Sequence, residues 1–273
     1  MDAGSARQVW LLIDELLLPA TCLICHKIGG SGLDLCASCC ACLPALACGP
    51  PGFLGDGPEL APVCLGCGDR AGLPRVLFEY DQAAVDLAGR FWCAACQRRD
   101  SPFRRIVAPW RYAYPVEGMI GSLKRHGRRP IARALGRLLG DEVRRVADTD
   151  TCQPVHPDIV VPVPDHAERR RQRGFNPAAD IARSAAARLD LPFSPRSARR
   201  VLDSGPLANK SRAERALAIG GAFRVDDGLH GQHVALVDDV LTSGATSREL
   251  ARECLDAGAA SVELWVLART SSD

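Results

Sequence analysis

The 273-residue chain contains no run of about eighteen apolar residues, so it offers no helix long enough to cross a membrane. It has no GxxxxGK followed by Ser or Thr, which sets aside a Walker-type ATPase. Its six histidines are scattered, and none has a partner at the HxxxH spacing of a helix-borne metal site. There is no low-complexity tract, and no internal repeat beyond the cysteine pairs described below. A positively charged start is also lacking. "VWLLIDELLLPA" (Val9 to Ala20) carries Asp14 and Glu15, and its spacing reads as a short amphipathic helix stopped by Pro19 rather than as an export signal. The expected location is therefore the cytoplasm. Net charge is only +2, which points to no class of partner. What remains is an ordinary globular composition, 47% hydrophobic and 24% charged, with room for one large domain or two modest ones.

The charges are unevenly placed. Gln97 to Arg145 holds thirteen Lys or Arg against four acids, a net of +9. Asp226 to Asp273 holds three Arg against nine acids, a net of −6. Such asymmetry suggests a surface for phosphates, free or in nucleic acid; solvated helix faces are the equal alternative.

Eleven of the thirteen cysteines precede Asp100. They include four CxxC pairs: Cys22 with Cys25, Cys36 with Cys39, Cys64 with Cys67, and Cys93 with Cys96. In a reducing compartment such pairs call for a metal before disulfides. Zinc takes four tetrahedral ligands, and a CxxC turn presents two sulfurs to one ion. The expectation is two structural zinc ribbons, with iron–sulfur ligation as the competitor. Cys40, Cys42 and Cys48 are surplus, so Cys39 with Cys42 is an alternative pair, and the pairs can also interleave. "CLICH" fits haem attachment, but that chemistry requires export. A ribbon needs its metal to fold, because so short a segment buries little apolar area. A closed four-cysteine site leaves no position for catalysis, so this half reads as scaffold or contact surface. "GPPGFLGDGPELAP" (Gly49 to Pro62) is the spacer between the ribbons.

From about Pro102 the pattern becomes α/β. Helical spacing runs through Ile120 to Val143 on both sides of Pro130, and Ala178 to Asp190 is a second helix. Asp158 to Pro164, His233 to Asp239 and Ser261 to Arg269 read as apolar strands. Thr246 to Gly258 is a helix with Gly258 as its C-terminal cap and Thr246 with Glu249 as a possible capping box. Trp110, Tyr112 and Tyr114 alternate as in a half-buried strand. Apolar strands alternating with helices argue a parallel sheet covered on both faces.

At the end of one such strand stands "VALVDDVLTSGATSREL" (Val234 to Leu250). Ligands of open α/β sheets bind outside the carboxyl ends of the strands. There Asp238 and Asp239 offer acceptors, and the turn Thr242, Ser243, Gly244, Ala245 and Thr246 opens a helix whose free N–H groups favour phosphate. The combination suits a sugar phosphate. A strand end followed by a capped helix would read the same way.

"VALVDDVLTSGAT" resembles the ribose-phosphate signature of type I phosphoribosyltransferases. "DIVVPVPDHAERRRQRGFNPAADIA" is similar to the central segment of the ComF family, "MIGSLKRHG" resembles that family's basic helix, and "LLLPATCLIC" its N-terminal zinc module. Four motifs in this order cover nearly the whole chain. The chain departs from the family where Pro177 replaces a Gln, and where Ser204, Leu207, Arg215 and Ala218 stand in place of Thr–x–x–Gln and Arg–x–x–Asn elements. The resemblance implies a double zinc-ribbon module over residues 1–100 and a phosphoribosyltransferase-like domain over residues 101–273. It implies phosphoribosyl pyrophosphate as ligand, with Mg2+, and transfer at C1′ to a nitrogen nucleophile as pyrophosphate leaves. Asp238 and Asp239 would hold the ribose hydroxyls as the catalytic pair, and Thr242 to Thr246 the 5′-phosphate. The backbone at Val163 and Pro164 would lie by the pyrophosphate, with Lys124, Arg171 and Arg173 neutralising it. Lys124 reads equally as part of a solvated helix face, and "RRRQR" (Arg169 to Arg173) also reads as a charged, mobile loop. Two other roles fit the same family: a factor that handles single-stranded DNA or contacts the uptake machinery in competence, and a regulator that senses phosphoribosyl pyrophosphate without consuming it.

Overall fold

The computed structural model describes residues 21–29, 33–46, 64, 101–149, 156–202 and 220–270. Backbone contacts divide the chain into two compact units, Met1–Leu43 and Pro44–Asp273. The sequence boundary at residue 100, the helix before Pro19, the Gly/Pro spacer, and Cys67, Cys93 and Cys96 lie outside the described residues. So do Ser204, Leu207, Arg215 and Ala218.

In the first unit a CxxC turn runs from Cys22 to Cys25, closed by an antiparallel bridge between Thr21 and Ile28. The Cys22 N–H donates to the Lys27 carbonyl and the His26 N–H to the Cys22 carbonyl. The second pair starts a short helix, α1 (Ala37–Ala41), with Cys36 at its N-cap. A backbone bond from the Leu23 N–H to the Asp34 carbonyl ties the two pairs together.

The second unit is the parallel sheet flanked by helices that the apolar periodicity predicts. Its strands are β1 (Arg105–Val107), β2 (Trp110–Arg111), β3 (Ile159–Pro162), β6 (His233–Leu241) and β7 (Ser261–Arg269). They lie in the order β1-β7-β6-β3, with β2 also on β7, and every pairing is parallel. The strands β4 (Ala198–Arg200) and β5 (Phe223–Val225) form a separate antiparallel pair. The helices are α2 (Val116–His126), α3 (Arg129–Thr149), α4 (Ala167–Arg173), α5 (Pro177–Leu189) and α6 (Ala245–Asp256). None of the described helices is long and apolar enough to cross a membrane. Parallel strands need both faces covered, and Val234 to Val237 is accordingly buried throughout. Helices α3 and α5 cover one face and α6 the other.

Several expectations sharpen here. Pro130 does not interrupt one continuous helix. Gly127 takes the left-handed conformation (φ 62°), ends α2, and lets α3 begin at Arg129 with Pro130 in its first turn, where a missing N–H costs nothing. Gly258 (φ 89°) follows the last turn of α6, where Ala259 N–H reaches the Cys254 carbonyl and Gly258 N–H the Leu255 carbonyl, a Schellman closure. Only Trp110 and Arg111 of the alternating aromatic stretch are in a strand; Trp110 is buried and Tyr114 is 82% exposed.

Close packing explains the small residues of α3. A Cβ at Gly136 would stand 2.7 Å from both the Ile181 carbonyl oxygen and the Ser184 Cβ of α5. Within the sheet, the register sets Arg105 opposite Glu263. The Arg105 Nη2 donates to Glu263 Oε1 at 2.8 Å and Trp265 Nε1 donates to Glu263 Oε2 at 3.1 Å. Both ionic partners are buried, so the pair is anchored by hydrogen bonds rather than by solvent.

Candidate functional site

The carboxyl ends of β3 and β6 are neighbours because Pro162 pairs with Val237, and the Val163 N–H continues the ladder to the Val237 carbonyl. One residue further along β6 come Asp238 and Asp239. Asp238 Oδ1 accepts the Asp239 N–H at 2.8 Å. Asp239 Oδ1 accepts from Lys124 Nζ at 2.8 Å, a contact between residues 115 positions apart. Burial and the neighbouring Asp239 carboxylate raise the pKa of Asp238 to about 7, against the opposing pull of the Asp239 N–H and Lys124. The pair is thus asymmetric: Asp239 holds a cation, while Asp238 titrates near neutrality.

Beyond β6 the chain turns through Thr242 and Ser243 to Gly244, whose φ of 71° suits glycine, and α6 begins at Ala245. A Cβ at Gly244 would also meet the Leu241 Cδ1 at 3.1 Å. The Thr246–Glu249 capping box does not form. Gly244 is the N-cap without a side-chain bond, and Glu249 Oε1 instead accepts the Gly221 N–H at 2.8 Å. Among the described residues no side chain takes the N–H groups of Ala245 and Thr246. They remain available to an anion, with the dipole of a twelve-residue helix behind them. Arg248 braces the turn by donating to the Ser243 carbonyl at 3.0 Å.

These groups line one cleft of about 330 Å3. It brings together Lys124, Val163, Pro164, Arg173, Asp238 and Asp239 with Thr242, Ser243, Ala245 and Thr246. Gly244 is buried in the same turn without lining the cleft, and Arg171 is exposed on α4 outside it. "RRRQR" is helical here, not a loop: His166 Nδ1 accepts the Glu168 N–H at the start of α4, and Gly174 ends it. Residues that the sequence reading missed also line the cleft: Asp165, His166, Arg169 and Arg200. Asp165 was within reach of the strand-end rule, since it follows the apolar run of β3 directly. Arg200 carries no such signal. Asn176 is the N-cap of α5, accepting the Ala178 N–H at 3.0 Å, and its Nδ2 donates to the Val163 carbonyl at 3.0 Å. It thereby fixes the end of β3 against α5.

In the first unit the sulfurs of Cys22, Cys25, Cys36 and Cys39 lie within 4.8 Å of one another. A tetrahedron with zinc–sulfur bonds of about 2.3 Å requires sulfurs about 3.8 Å apart. Cys25 and Cys36 are 3.7 Å apart, far beyond a disulfide. The donor set therefore fits one metal ion, with Cys40 and Cys42 outside it. Burial alone pushes the Cys22 thiol up, but backbone N–H groups from Cys25, Cys36 and Ile24 outweigh it and leave the pKa at about 6, a thiolate ready for metal. Cys64 is buried, and its three expected partners lie outside the described residues. Among the described residues, the acids of the cleft form no three-ligand cluster of their own.

No family model matches the chain. It is 34% identical over 178 residues to the DNA utilization protein YhgH of Salmonella typhi, covering 65% of this chain and 78% of the relative. It is 28% identical over 180 residues to competence protein F of Haemophilus influenzae, with 65% and 78% coverage. It is 33% identical over 126 residues to competence protein ComFC of Bacillus subtilis, with 45% and 50% coverage. A solved allosteric regulatory enzyme of purine biosynthesis overlaps 50% of this chain and 25% of its own, at 23% identity and a TM-score of 0.33, too low to bear on function. With 34% identity across more than three quarters of a DNA utilization protein, and two competence proteins matched as well, the chain belongs to the ComF family.

Proposed function

We propose that the cleft binds the ribose 5-phosphate part of phosphoribosyl pyrophosphate and transfers it to a nitrogen acceptor. The observation that carries this reading is the meeting of a carboxylate pair, an uncapped helix start and basic side chains around one volume of about 330 Å3. Asp238 and Asp239 accept the ribose hydroxyls. The Thr242–Thr246 turn holds the 5′-phosphate through hydroxyls and the free N–H groups of α6. The backbone at Val163 and Pro164 lies along the pyrophosphate, with Lys124 and Arg173 supplying positive charge. Arg173 is held by Asp165 Oδ2 at 3.1 Å and Lys124 by Asp239, so both must turn from these carboxylates or share them. Mg2+ takes oxygen ligands, and Asp238 and Asp239 fit it together with the oxygens of the substrate; bound, it neutralises pyrophosphate charge.

In the transfer the bond from C1′ to the pyrophosphate oxygen breaks, and its electron pair leaves on pyrophosphate. The nitrogen lone pair forms the bond to C1′, and the proton of the acceptor nitrogen passes to solvent. The protein contributes positioning and fixed charge rather than a covalent intermediate.

The four-cysteine cluster is assigned to structural zinc, and Cys64, Cys67, Cys93 and Cys96 to a second site of the same kind. Residues 1–100 then form the ribbon module and residues 101–273 the transferase-like domain, in a cytoplasmic protein whose thiols stay reduced. A second reading, contact with single-stranded DNA during uptake, is favoured by the names of the relatives and by the exposed Arg125, Arg128, Arg169, Arg170 and Arg171.

The test is calorimetric titration with phosphoribosyl pyrophosphate and Mg2+, then a screen for pyrophosphate release with candidate bases. Binding should vanish in Asp238→Asn with Asp239→Asn. Unchanged binding in the folded double variant would refute the ribose role. Binding without release under any base would select the sensing or DNA-handling role over transfer.

A further inference from the structure

We infer that a second cleft in the same unit binds a planar aromatic anion, a ring bearing a carboxylate or a phosphate. Its role as acceptor rests on the reading above; its binding does not. The cleft encloses about 450 Å3 between the end of β3, the helices α4 and α5, and the β4–β5 pair. That is within the range of small-molecule sites.

Its lining divides by chemistry. Pro162, Pro164, Pro195, Ala179 and Ala198 give an apolar wall with no side-chain donors, which suits the face of a ring. Arg170, Arg196, Arg199 and Arg200 stand around it, against two acids, Asp165 and Asp226. The acids are engaged: Asp226 Oδ1 accepts from Arg199 Nη2 at 3.1 Å, and Asp165 Oδ2 from Arg173 Nη1 at 3.1 Å. Arg200 lies over the Phe223 ring, 5.7 Å from its centroid. Arg170 and Arg196 have no side-chain hydrogen bond or ion pair among the described residues. Two planar guanidinium groups left without carboxylates, beside an apolar wall, match a carboxylate or phosphate on a ring.

The position gives the pocket its role. Pro164, Asp165, Asn176 and Arg200 line both this cleft and the one that holds Asp238 and Asp239. A ring bound here lies directly beside the ribose, so a ring nitrogen or amino group can reach C1′ while its anion stays on the arginines.

The experiment is calorimetry on the full-length, zinc-loaded chain with 2-aminobenzoate, phenyl phosphate and uncharged benzamide, each with and without phosphoribosyl pyrophosphate. At least one anion should bind about tenfold or more tightly than benzamide, and the preferred anion distinguishes carboxylate from phosphate. Arg170→Ala with Arg196→Ala should weaken that anion about tenfold or more, the loss expected for a charge-assisted bond, and leave phosphoribosyl pyrophosphate affinity unchanged. Equal affinity for benzamide, no binding of either anion, or an unaltered affinity in the arginine variant overturns the inference; the wild-type comparison with benzamide stands even if the variant does not fold. Arginine-dependent anion binding without phosphoribosyl pyrophosphate binding would keep the second cleft and remove the transferase reading. The converse result would do the opposite.

Discussion

Asp238→Asn separates two consequences of one titration. Asparagine keeps an oxygen for the Asp239 N–H, now met at 2.8 Å, so the strand end should fold unchanged. Burial, with the neighbouring Asp239, raises the Asp238 pKa from the ordinary 3.8 to about 7. A carboxyl with a higher pKa folded than unfolded binds its proton more tightly in the folded protein. Its contribution to stability is whole below about pH 4 and is lost as pH rises through about 7. Between pH 5 and pH 8 the asparagine variant should therefore gain on the wild type by about 2 kcal/mol, read from urea midpoints at each pH. Ligand binding runs the other way. A group titrating near 7 is about one tenth ionised at pH 6 and about nine tenths at pH 8, so a ribose that needs the carboxylate should bind the wild type about tenfold more tightly at pH 8. The ligand's own phosphate also ionises near pH 6, and the asparagine variant reports that part alone. A wild-type-to-variant stability difference that is the same at pH 5 and pH 8 would show that Asp238 is not the perturbed group.

Two further outcomes follow from packing and from the thiols. Gly136→Ala should destabilise the second unit by about 1–3 kcal/mol, because the new Cβ meets the α5 backbone, whereas Gly118→Ala, with nothing within 4 Å, should stabilise α2 by about 0.5–1 kcal/mol; thermal unfolding of both variants compares one substitution in two surroundings. Cys36→Ser should lower the zinc content by about one ion per chain and expose residues 21–43 to proteolysis, and metal content unaltered by that change would contradict the assigned ligand set.

Much of the architecture was legible because it is local. A CxxC turn brings two sulfurs together through a few backbone angles, and the apolar runs at Val160, Val234 and Val262 announce buried strands by composition. The site's centre was legible for the same reason: Asp238 to Thr246 is one contiguous strand–turn–helix segment. The Thr246–Glu249 capping box was equally local and still did not form, because Glu249 has a competing donor in Gly221, 28 residues away.

The sequence alone therefore marked the main strands and helices, four CxxC pairs without their partnering, and the contiguous carboxylate–turn segment. Tertiary structure decided what meets that segment. The parallel register of Pro162 with Val237 delivers Asp165 beside Asp238, and the arrival of α2 sets Lys124 on Asp239. Facing of the β4–β5 pair toward the end of β3 makes the second, arginine-lined cleft. None of these contacts has a sequence period, since each depends on which strands pair and in what register, and that choice is made by burying both faces of the sheet at once.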